Sequence, residues 1–304
     1  MKIKNNEVKD IEIKNNISIK ELTNKMRFSG FQATNLANGV NLIKGMKNNN
    51  TLIFLGFTSN MVASGLRGAF VDLIKKGYVD VIVTAGGSID HDVIRSFKPY
   101  HLGDFYMDDV KLHKKNINRL GNILIPDSRY KLFESYMQKI LEKIYKKQKV
   151  LSPRELIEYI GKEIKDKNSI LYQCRKHKVP IFCPGITDSA LGLQLFFFKQ
   201  EYKDFVIDVT KDMHELFDLV FSKKKTGAII LGGGLPKHYI LGVNLLHGGL
   251  DYSLYITTAT PYDGSLSGAM PQEAKSWGKI AEVGRTATIY SDASIVFPLI
   301  VASL

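Results

Sequence analysis

From Thr51 onwards the chain alternates short apolar runs with longer segments whose apolar residues recur at helical spacing. Apolar runs of roughly four to eight residues, rich in β-branched and aromatic side chains, are typical of buried strands. The runs of this kind are 51–57, 79–87, 122–126, 179–184, 205–209, 227–234, 252–259 and 287–292. Strands that alternate with helices predict a mostly parallel sheet with helices on both faces. We therefore expect a single doubly wound, Rossmann-like α/β domain.

Polar positions predict where several helices begin. Ser59 is a suitable N-cap for a helix over 60–76. The apolar residues that fall on one face of that helix are Val62, Leu66, Phe70, Leu73 and Ile74. Residues 152–155 form a capping box with proline at the first helical position, which predicts another helix. Residues 293–304 are predicted to form a buried helix at the end of the chain.

The first fifty residues are polar and mixed, with one amphipathic helical candidate over 19–46. They predict an N-terminal arm, residues 1–50, that packs on an α/β domain formed by residues 51–304. Neither a linker rich in Pro, Gly or Ser nor a repeat of fixed period divides the chain further.

A formal net charge of +12 makes nucleic acid a candidate partner. The lysines, however, cluster at predicted helix ends and loops, in the runs 111–115, 143–149 and 223–225. These runs lack the interleaved aromatic side chains that stack on bases. We therefore expect a solvated basic surface and no nucleic-acid partner.

No apolar run approaches the roughly 18–20 residues of a membrane span, and the N-terminus lacks the apolar core of a signal peptide. A cytoplasmic protein is expected. Cys174 and Cys183 have no partner pair and no CxxC spacing, which argues against a disulfide framework and a structural zinc site. Reduced, partly buried thiols are expected.

Small and acidic residues follow directly after the predicted strands. They are Ser59, Asn60, Thr84, Ala85, Gly86, Gly87, Thr187, Asp188, Gly232, Gly233, Gly234, Thr258, Ala259, Asp292 and Ala293. Ligands of parallel sheets bind at the carboxyl ends of strands. There, small residues let backbone N–H groups approach phosphates, and aspartates can bind ribose hydroxyls. Any one such turn is ordinary, but their recurrence predicts a nucleotide site, although neither GxGxxG nor a Walker motif is present.

Lys279 is a candidate Schiff-base nucleophile, because a desolvated lysine amine has a lowered pKa. Glu273 and Trp277 share a helical face, which suits a polycationic amine through ion pairing and cation–π attraction. On an ideal helix Lys279 points about 200° away from Trp277. Either the two side chains serve different surfaces, or Gly278 lets the backbone unwind and brings Lys279 round. By itself, the pattern also describes a surface lysine at a helix end.

His238 follows the triple glycine at the start of a predicted helix, where an imidazole can transfer protons near pH 7. From sequence alone, a histidine that merely caps the helix or packs is the favoured interpretation. Lys237 beside it can pair with phosphate or face solvent. Asp90, His91 and Asp92 are predicted to open a helix, where carboxylates suit the helix dipole. They lack a third partner at a recognised metal-ligand spacing, so no metal is expected.

These residues resemble a known family. The stretch EAKSWGK, residues 273–279, together with SGA, residues 267–269, resembles the active-site signature of deoxyhypusine synthases. Further motifs match in consistent order from about residue 50 to the C-terminus, namely FLGFTSN, SGLR, TAGG, NRLGN, TD with LG, LGGG with KH, TA and DAS. The leucine-containing turn GSLSGA and the run IDHD are similar to the archaeal branch of the family.

The resemblance implies an NAD-dependent transferase with the fold of that family. In the family, spermidine is oxidised and loses 1,3-diaminopropane. Its aminobutyl group passes through an imine on an enzyme lysine to one lysine of the translation factor 5A precursor. Family members are homotetramers with sites formed between subunits. Residues 51–304 are thus expected to form an NAD-binding catalytic domain.

The resemblance also implies individual roles. Lys279 is implied as the nucleophile and His238 as a polyamine-contacting proton-transfer residue. The implied NAD contacts are Ser59, Asn60, Thr84, Ala85, Gly86, Asp188, Gly233, Thr258, Ala259, Asp292 and Ala293. The implied polyamine contacts are Glu273, Trp277, Gly264 and Ser265, with Asp90 and His91 in place of the family's acidic pair.

Leu266 and Leu193 stand where eukaryotic-type members carry aspartates. An unpaired buried ammonium is costly, so the amine donor stays open, with agmatine as an alternative to spermidine. Two other functions stay open as well: homospermidine synthase-like transfer to a small amine, and a catalytically silent NAD-binding homologue. The presence of Lys279, His238 and Glu273 argues against a silent homologue.

Overall fold

The computed structural model describes residues 7–304, which form two compact units. Of the described residues, unit 1 contains 7–56 and Leu219–Leu304, and unit 2 contains Phe57–Asp218. Within the described residues, no helix combines the length and the apolar character that crossing a membrane requires.

The described strands are mostly short. They are β1 (Leu52–Phe57), β2 (Val81–Thr84), β3 (His101–Leu102), β4 (Ile117–Leu120), β5 (Ile123–Pro126), β6 (Val150–Leu151), β7 (Ile181–Phe182), β8 (Val206–Ile207), β9 (Thr226–Leu231), β10 (Leu250–Thr257) and β11 (Ile280–Tyr290). The α-helices are α1 (Ile19–Lys25), α2 (Phe31–Asn48), α3 (Ser59–Ala63), α4 (Arg67–Lys75), α5 (Gly86–Phe97), α6 (Asp109–Lys114), α7 (Asp127–Tyr145), α8 (Pro153–Glu163), α9 (Ile170–His177), α10 (Ala190–Glu201), α11 (Lys211–Phe221), α12 (Gly234–Leu245), α13 (Pro271–Ser276) and α14 (Ala293–Ser303).

Unit 1 is built on parallel strands in the order β11, β10, β9, β1. Leu254 and Tyr255 are neighbours in β10, so their side chains point to opposite faces of the sheet. A Cβ on Gly39 of α2 would lie 3.0 Å from Leu254 Cδ1, whereas Lys237 of α12 lies over the ring of Tyr255. Helices therefore cover both faces of this sheet, as predicted. Burial on both faces explains the continuous apolar runs of its strands.

Unit 2 contains the parallel pairs β2–β7 and β6–β8 and an antiparallel sheet in the order β3, β5, β4. The predicted α/β class with mostly parallel strands is confirmed. The strand over 122–126 was expected among the parallel strands, and this expectation is wrong. Only two residues connect β4 to β5, and a connection this short permits antiparallel pairing alone.

The single helix predicted over 60–76 is in fact two helices, α3 and α4. Thr58 occupies the N-cap of α3, so the prediction that Ser59 caps it is wrong. The backbone is extended at Ser64, and Arg95 donates to the Ser64 carbonyl that this break leaves free. The apolar residues of the predicted face, Val62, Leu66, Phe70, Leu73 and Ile74, are all buried.

Two local predictions are confirmed. Ser152 Oγ accepts a hydrogen bond from Glu155 N at 3.2 Å, and Glu155 Oε2 accepts one from Ser152 N at 2.8 Å, which completes the capping box of α8. Helix α14 occupies 293–303 and is largely buried. The strand predicted over 287–292 is longer than expected, because β11 begins at Ile280.

The helical candidate over 19–46 is interrupted before α2 at Gly30, whose φ of 95° is outside the helical region. Helix α2 packs in unit 1 against β10 and β11. Residues 1–6 of the predicted arm lie outside the described residues, and its boundary at residue 50 stays a prediction.

Cys174 and Cys183 are free and fully buried, more so than expected. Burial raises the pKa of both thiols above the ordinary value, which keeps them protonated and unreactive.

Candidate active site

Lys279 follows a tight helix ending. Helix α13 stops at Ser276, and Gly278 adopts a left-handed φ of 69°. Lys279 N donates to Ala274 O at 2.9 Å and Gly278 N to Lys275 O at 2.9 Å, which is the hydrogen-bond pattern of a Schellman motif. This turn brings Lys279 Nζ to 5.1 Å from the centroid of the Trp277 ring. Of the two arrangements open from sequence, the unwound one is therefore present.

A narrow cavity of about 40 Å³ adjoins this lysine within unit 1. The side chains around it that carry chemistry or shape it are Lys237, Tyr255, Leu266, Glu273, Trp277 and Lys279. Lys279 is half-buried, whereas Glu273 and Trp277 are exposed. The cavity thus combines an amine, a carboxylate and an aromatic face, which together can hold and react with the end of an amine ligand.

Lys237 is buried at this cavity, with 1% of its surface exposed. Its Nζ donates to the carbonyls of Leu266 and Ala269, each at 2.7 Å, and lies 4.2 Å from the centroid of the Tyr255 ring. Burial lowers the pKa of Lys237 to about 8, and the Glu273 carboxylate opposes that shift. Neither role considered from sequence, phosphate pairing or solvent exposure, describes this lysine.

His238 is the next residue of α12, but its side chain is exposed and does not line the cavity. Neighbouring positions of a helix point about 100° apart, so burial of Lys237 directs His238 elsewhere. Its predicted part in proton transfer stays a prediction.

The turn over 264–269 packs closely on the rest of unit 1. Gly264 has a left-handed φ of 72°, and Ser265 N donates to Asp263 Oδ1 at 2.7 Å. A Cβ on Gly233 would lie 2.4 Å from Ser267 Cα, so the bare glycine is what allows the turn to approach. Gly233 therefore lies against the turn that carries Gly264 and Ser265, two of the predicted polyamine contacts.

The other predicted NAD contacts of unit 1 lie at the carboxyl ends of β10 and β11, which run side by side with Thr257 opposite Tyr290. Thr258 and Asp292 are exposed there, Ala259 is half-buried and Ala293 is buried. Asp292 Oδ1 accepts a hydrogen bond from Ser294 N at 2.7 Å and thus caps α14.

Most of the predicted NAD contacts of unit 2 lie at or near the starts of its helices. Ser59 and Asn60 open α3, Ala85 is the N-cap of α5 and Gly86 its first residue, and Asp188 is exposed shortly before α10. The Thr84 hydroxyl is engaged within the fold, because it donates to Phe57 O at 2.8 Å and lies 2.6 Å from Ser88 Oγ.

The prediction that Asp90 and His91 open a helix is wrong. Helix α5 begins at Gly86, and both residues are buried in its middle. The Asp90 carboxylate instead accepts the backbone N–H groups of Ala190 at 2.7 Å and Leu191 at 2.9 Å, in the first turn of α10. Burial raises the pKa of Asp90 to about 7, although these two hydrogen bonds oppose the shift.

His91 Nδ1 lies 2.9 Å from the hydroxyl of Tyr100, and burial lowers the pKa of His91 to about 4. The predicted polyamine contacts of Asp90 and His91 stay predictions. Across residues 7–304, no group of three or more His, Cys, Asp or Glu side chains is placed to hold a metal ion.

Comparison with known proteins identifies the group to which this site belongs. The family model of deoxyhypusine synthase matches residues 21–304. A probable deoxyhypusine synthase of Picrophilus torridus is 43% identical over 297 residues, which span 97% of this chain and 96% of that protein. One of Thermococcus onnurineus is 45% identical over 289 residues, 90% of this chain and 86% of that protein. The chain belongs to the deoxyhypusine synthase family.

A solved structure from Entamoeba histolytica that carries the same enzyme name shares the fold of this family member. Its TM-score is 0.68 at 24% identity, over 95% of this chain and 93% of that chain. Since the family consists of transferases, the chain is an enzyme, as the resemblance implied.

Sequence reasoning did not predict that Lys237 lines the candidate site. A signal was present, because Lys237 shares one helical face with Ile240, Leu241 and Asn244, all of them buried. A lysine in a row of otherwise buried positions indicates a buried charged group with a specific role. Leu266, which replaces a eukaryotic-type aspartate, also lines the cavity, whereas Leu193 is exposed on α10 in unit 2.

Gly278 provides a direct test of the helix ending. We expect Gly278→Ala to cost about 1–2 kcal/mol, because a residue with a Cβ is strained at this φ. A Cβ here would meet Leu245 Cδ1 at an ordinary 3.4 Å, so backbone strain and not a clash is the cause. Urea unfolding measures the loss. Gly45→Ala in α2 is the matched control and should stabilise slightly, since it adds a methyl group in open space within a helix. Equal effects of the two substitutions would contradict the explanation.

Proposed function

We propose that this chain catalyses deoxyhypusine synthesis: it transfers the aminobutyl group of spermidine to one lysine of the translation factor 5A precursor, with NAD as cofactor. The observation that carries the proposal is the placement of Lys279, a half-buried amine beside the Trp277 ring in a cavity that Glu273 also lines. Membership of the deoxyhypusine synthase family supports it.

Lys279 acts as the nucleophile. Its neutral amine adds to the imine carbon of the oxidised donor, 1,3-diaminopropane leaves, and the aminobutyl group is held as an imine on Lys279. The acceptor lysine then adds to the same carbon and displaces Lys279. Glu273 pairs with the cationic end of the donor, and the Trp277 ring attracts it through its π face. His238 is proposed to relay protons between these amines.

NAD, when bound, supplies the oxidising and reducing equivalents of this chemistry. The residues present are compatible with it: Thr258 offers an exposed hydroxyl and Asp292 an exposed carboxylate at one sheet edge, where ribose hydroxyls can bind. The absence of a side chain at Gly233 does not by itself indicate a cofactor contact, because the close approach of Ser267 already requires glycine there. The NAD contacts named from the resemblance are retained in this proposal.

The cavity beside Lys279 is narrow, at about 40 Å³, and one end of spermidine is proposed to enter it. We infer that the rest of the donor lies outside this cavity, in a site completed by a second subunit of a homotetramer. The reaction would take place in the cytoplasm, where the factor 5A precursor is made.

The test is incubation of the full-length protein with NAD, spermidine labelled in its aminobutyl portion, and the factor 5A precursor. Label on the factor is the expected result. Label found only on small amines would favour homospermidine synthase-like transfer. NAD binding without any turnover would favour a silent homologue. Repeating the assay with agmatine identifies the donor.

A further inference from the structure

Burial of the charged Lys237 side chain costs free energy. A buried ammonium loses hydration that two hydrogen bonds only partly replace. The lowered pKa of Lys237 shows that folding disfavours its charged form. An apolar side chain of similar length, beside Leu241 and Tyr255 at the cavity, would avoid that desolvation cost. The charge is therefore kept for something other than stability.

The two hydrogen bonds of Lys237 show where its charge is used. Both acceptors, Leu266 O and Ala269 O, belong to the turn over 264–269. Thr257 Oγ1 donates to a third carbonyl of the same turn, Ser267 O, at 3.2 Å. The turn has internal bonds from the amides of Gly268 and Ala269. The bonds from side chains of α12 and β10 are the ones that tie it to the rest of unit 1.

The same turn shapes the cavity. Leu266, Ala269, Lys237 and Lys279 all line it, and the Lys237 ammonium donates to the carbonyls of Leu266 and Ala269. Release of these carbonyls would let the turn move away from α12 and widen the cavity beside the nucleophile.

We propose that Lys237 is a positioning residue, which fixes the turn over 264–269 so that Leu266 and Ala269 form the wall of the donor cavity beside Lys279. This role rests on the proposed function. It acts through the turn and not on the reacting atoms. Glu273 and Lys279 are the other charged groups that line the cavity, and the Glu273 carboxylate acts on Lys237 by opposing the fall in its pKa.

The experiment compares Lys237→Met with Lys275→Met in the full-length enzyme. Lys275 is a matched control, since its Nζ donates to a backbone carbonyl of the same unit, Glu282 O at 2.7 Å, but not to the turn. For Lys237→Met we expect the KM for spermidine to rise about tenfold while kcat stays within about threefold, because binding and not chemistry is weakened. Lys275→Met should change neither value.

Hydrogen exchange of the turn is the second measurement, and it needs no donor or turnover. The amides of Gly268 and Ala269 donate to Ser265 O. We expect them to exchange at least about tenfold faster in Lys237→Met and to be unaffected in Lys275→Met. This readout separates failure of the present inference from failure of the proposed function, which would appear as absent turnover in the unsubstituted enzyme.

Unchanged exchange in Lys237→Met would overturn the inference. So would a collapse of kcat with KM and exchange unaltered, since Lys237 would then take part in the chemistry itself. Lys237→Gln keeps one donor group, so its KM and its exchange rates should lie between those of the unsubstituted enzyme and Lys237→Met. It replaces Lys237→Met in the experiment if that variant does not fold.

The pH dependence of stability provides an independent check of the buried charge. The pKa of Lys237 is about 8 in the folded protein, whereas the ordinary value for a lysine, which applies to the unfolded chain, is 10.5. Between these values the unfolded chain binds more protons, so the contribution of Lys237 to stability rises with pH and is lost as pH falls through 8. The stability of the unsubstituted protein relative to Lys237→Met should thus increase from pH 8 to about 10.5, as measured by urea unfolding. A constant difference would contradict the buried charge.

Discussion

Replacing Lys279 with alanine is expected to abolish the proposed covalent step and lower transfer to the factor by at least about 10³-fold, because the reaction loses its proposed nucleophile. The reason is geometric as well as chemical. Among the groups that line the cavity, Lys237 is the other amine, and its Nζ is committed to two carbonyls, so it cannot substitute for Lys279. Borohydride trapping measures the step: the unsubstituted protein should gain one aminobutyl group on Lys279 in the presence of NAD and spermidine.

Lys275→Ala is the control for that experiment. Lys275 lies four positions before Lys279 but is turned towards Glu282 O, so trapping should be unaffected by its loss. NAD binding by the Lys279→Ala protein verifies that the variant folds. Full transfer by Lys279→Ala, or trapping on Lys275, would refute the nucleophile assignment.

The largest effect on stability is expected in unit 2, from Asp92→Ala. The Asp92 side chain is 0% exposed and lies 2.6 Å from Arg67 Nε. It also accepts from Ser169 Oγ at 2.6 Å, Ile170 N at 3.0 Å and Leu171 N at 2.9 Å, and so caps α9. Its removal leaves a buried guanidinium short of its partner and the first turn of α9 uncapped. We expect a loss of about 3–5 kcal/mol in urea unfolding.

Asp166→Ala tests whether this loss is specific. Asp166 pairs with the same Arg67, at 2.7 Å from Nη2, but its side chain is 22% exposed and solvent can replace part of the interaction. A cost of about 1 kcal/mol or less is expected. Similar losses for the two aspartates would show that the capping of α9 contributes little.

Much of the fold follows from periodicity, since continuous apolar runs between helical segments leave few alternatives to a mostly parallel sheet. Features set by neighbours in sequence were also predictable, as the capping box at 152–155 shows. Features that depend on residues distant in sequence could not be predicted. The break between α3 and α4 is stabilised by Arg95, which lies in α5. Asp90 and Asp92 looked like first-turn residues of their own helix, but they cap α10 and α9.

The candidate site shows the same division. Lys279 was predicted as the nucleophile from its motif, and this stays a prediction. The two arrangements around Gly278 could be named but not distinguished from sequence, because φ depends on the whole helix ending. Lys237 was misjudged, because proximity to His238 and the triple glycine indicated a ligand contact. Only the packing of α12 on β10 reveals that its side chain is directed inward to the backbone of the turn.

Both backbone polar groups of Lys279 are committed, its N–H to Ala274 O at 2.9 Å and its carbonyl to Leu250 N at 3.1 Å. The first bond belongs to the end of α13 and the second joins the start of β11 to β10. The backbone of Lys279 is thus fixed by hydrogen bonds on both sides, and its freedom to move lies in the torsions of its butyl side chain. If the amine must meet a small donor first and a folded protein acceptor afterwards, that travel has to come from side-chain torsions. In the proposed reaction, the acceptor lysine of the factor must therefore come to Lys279.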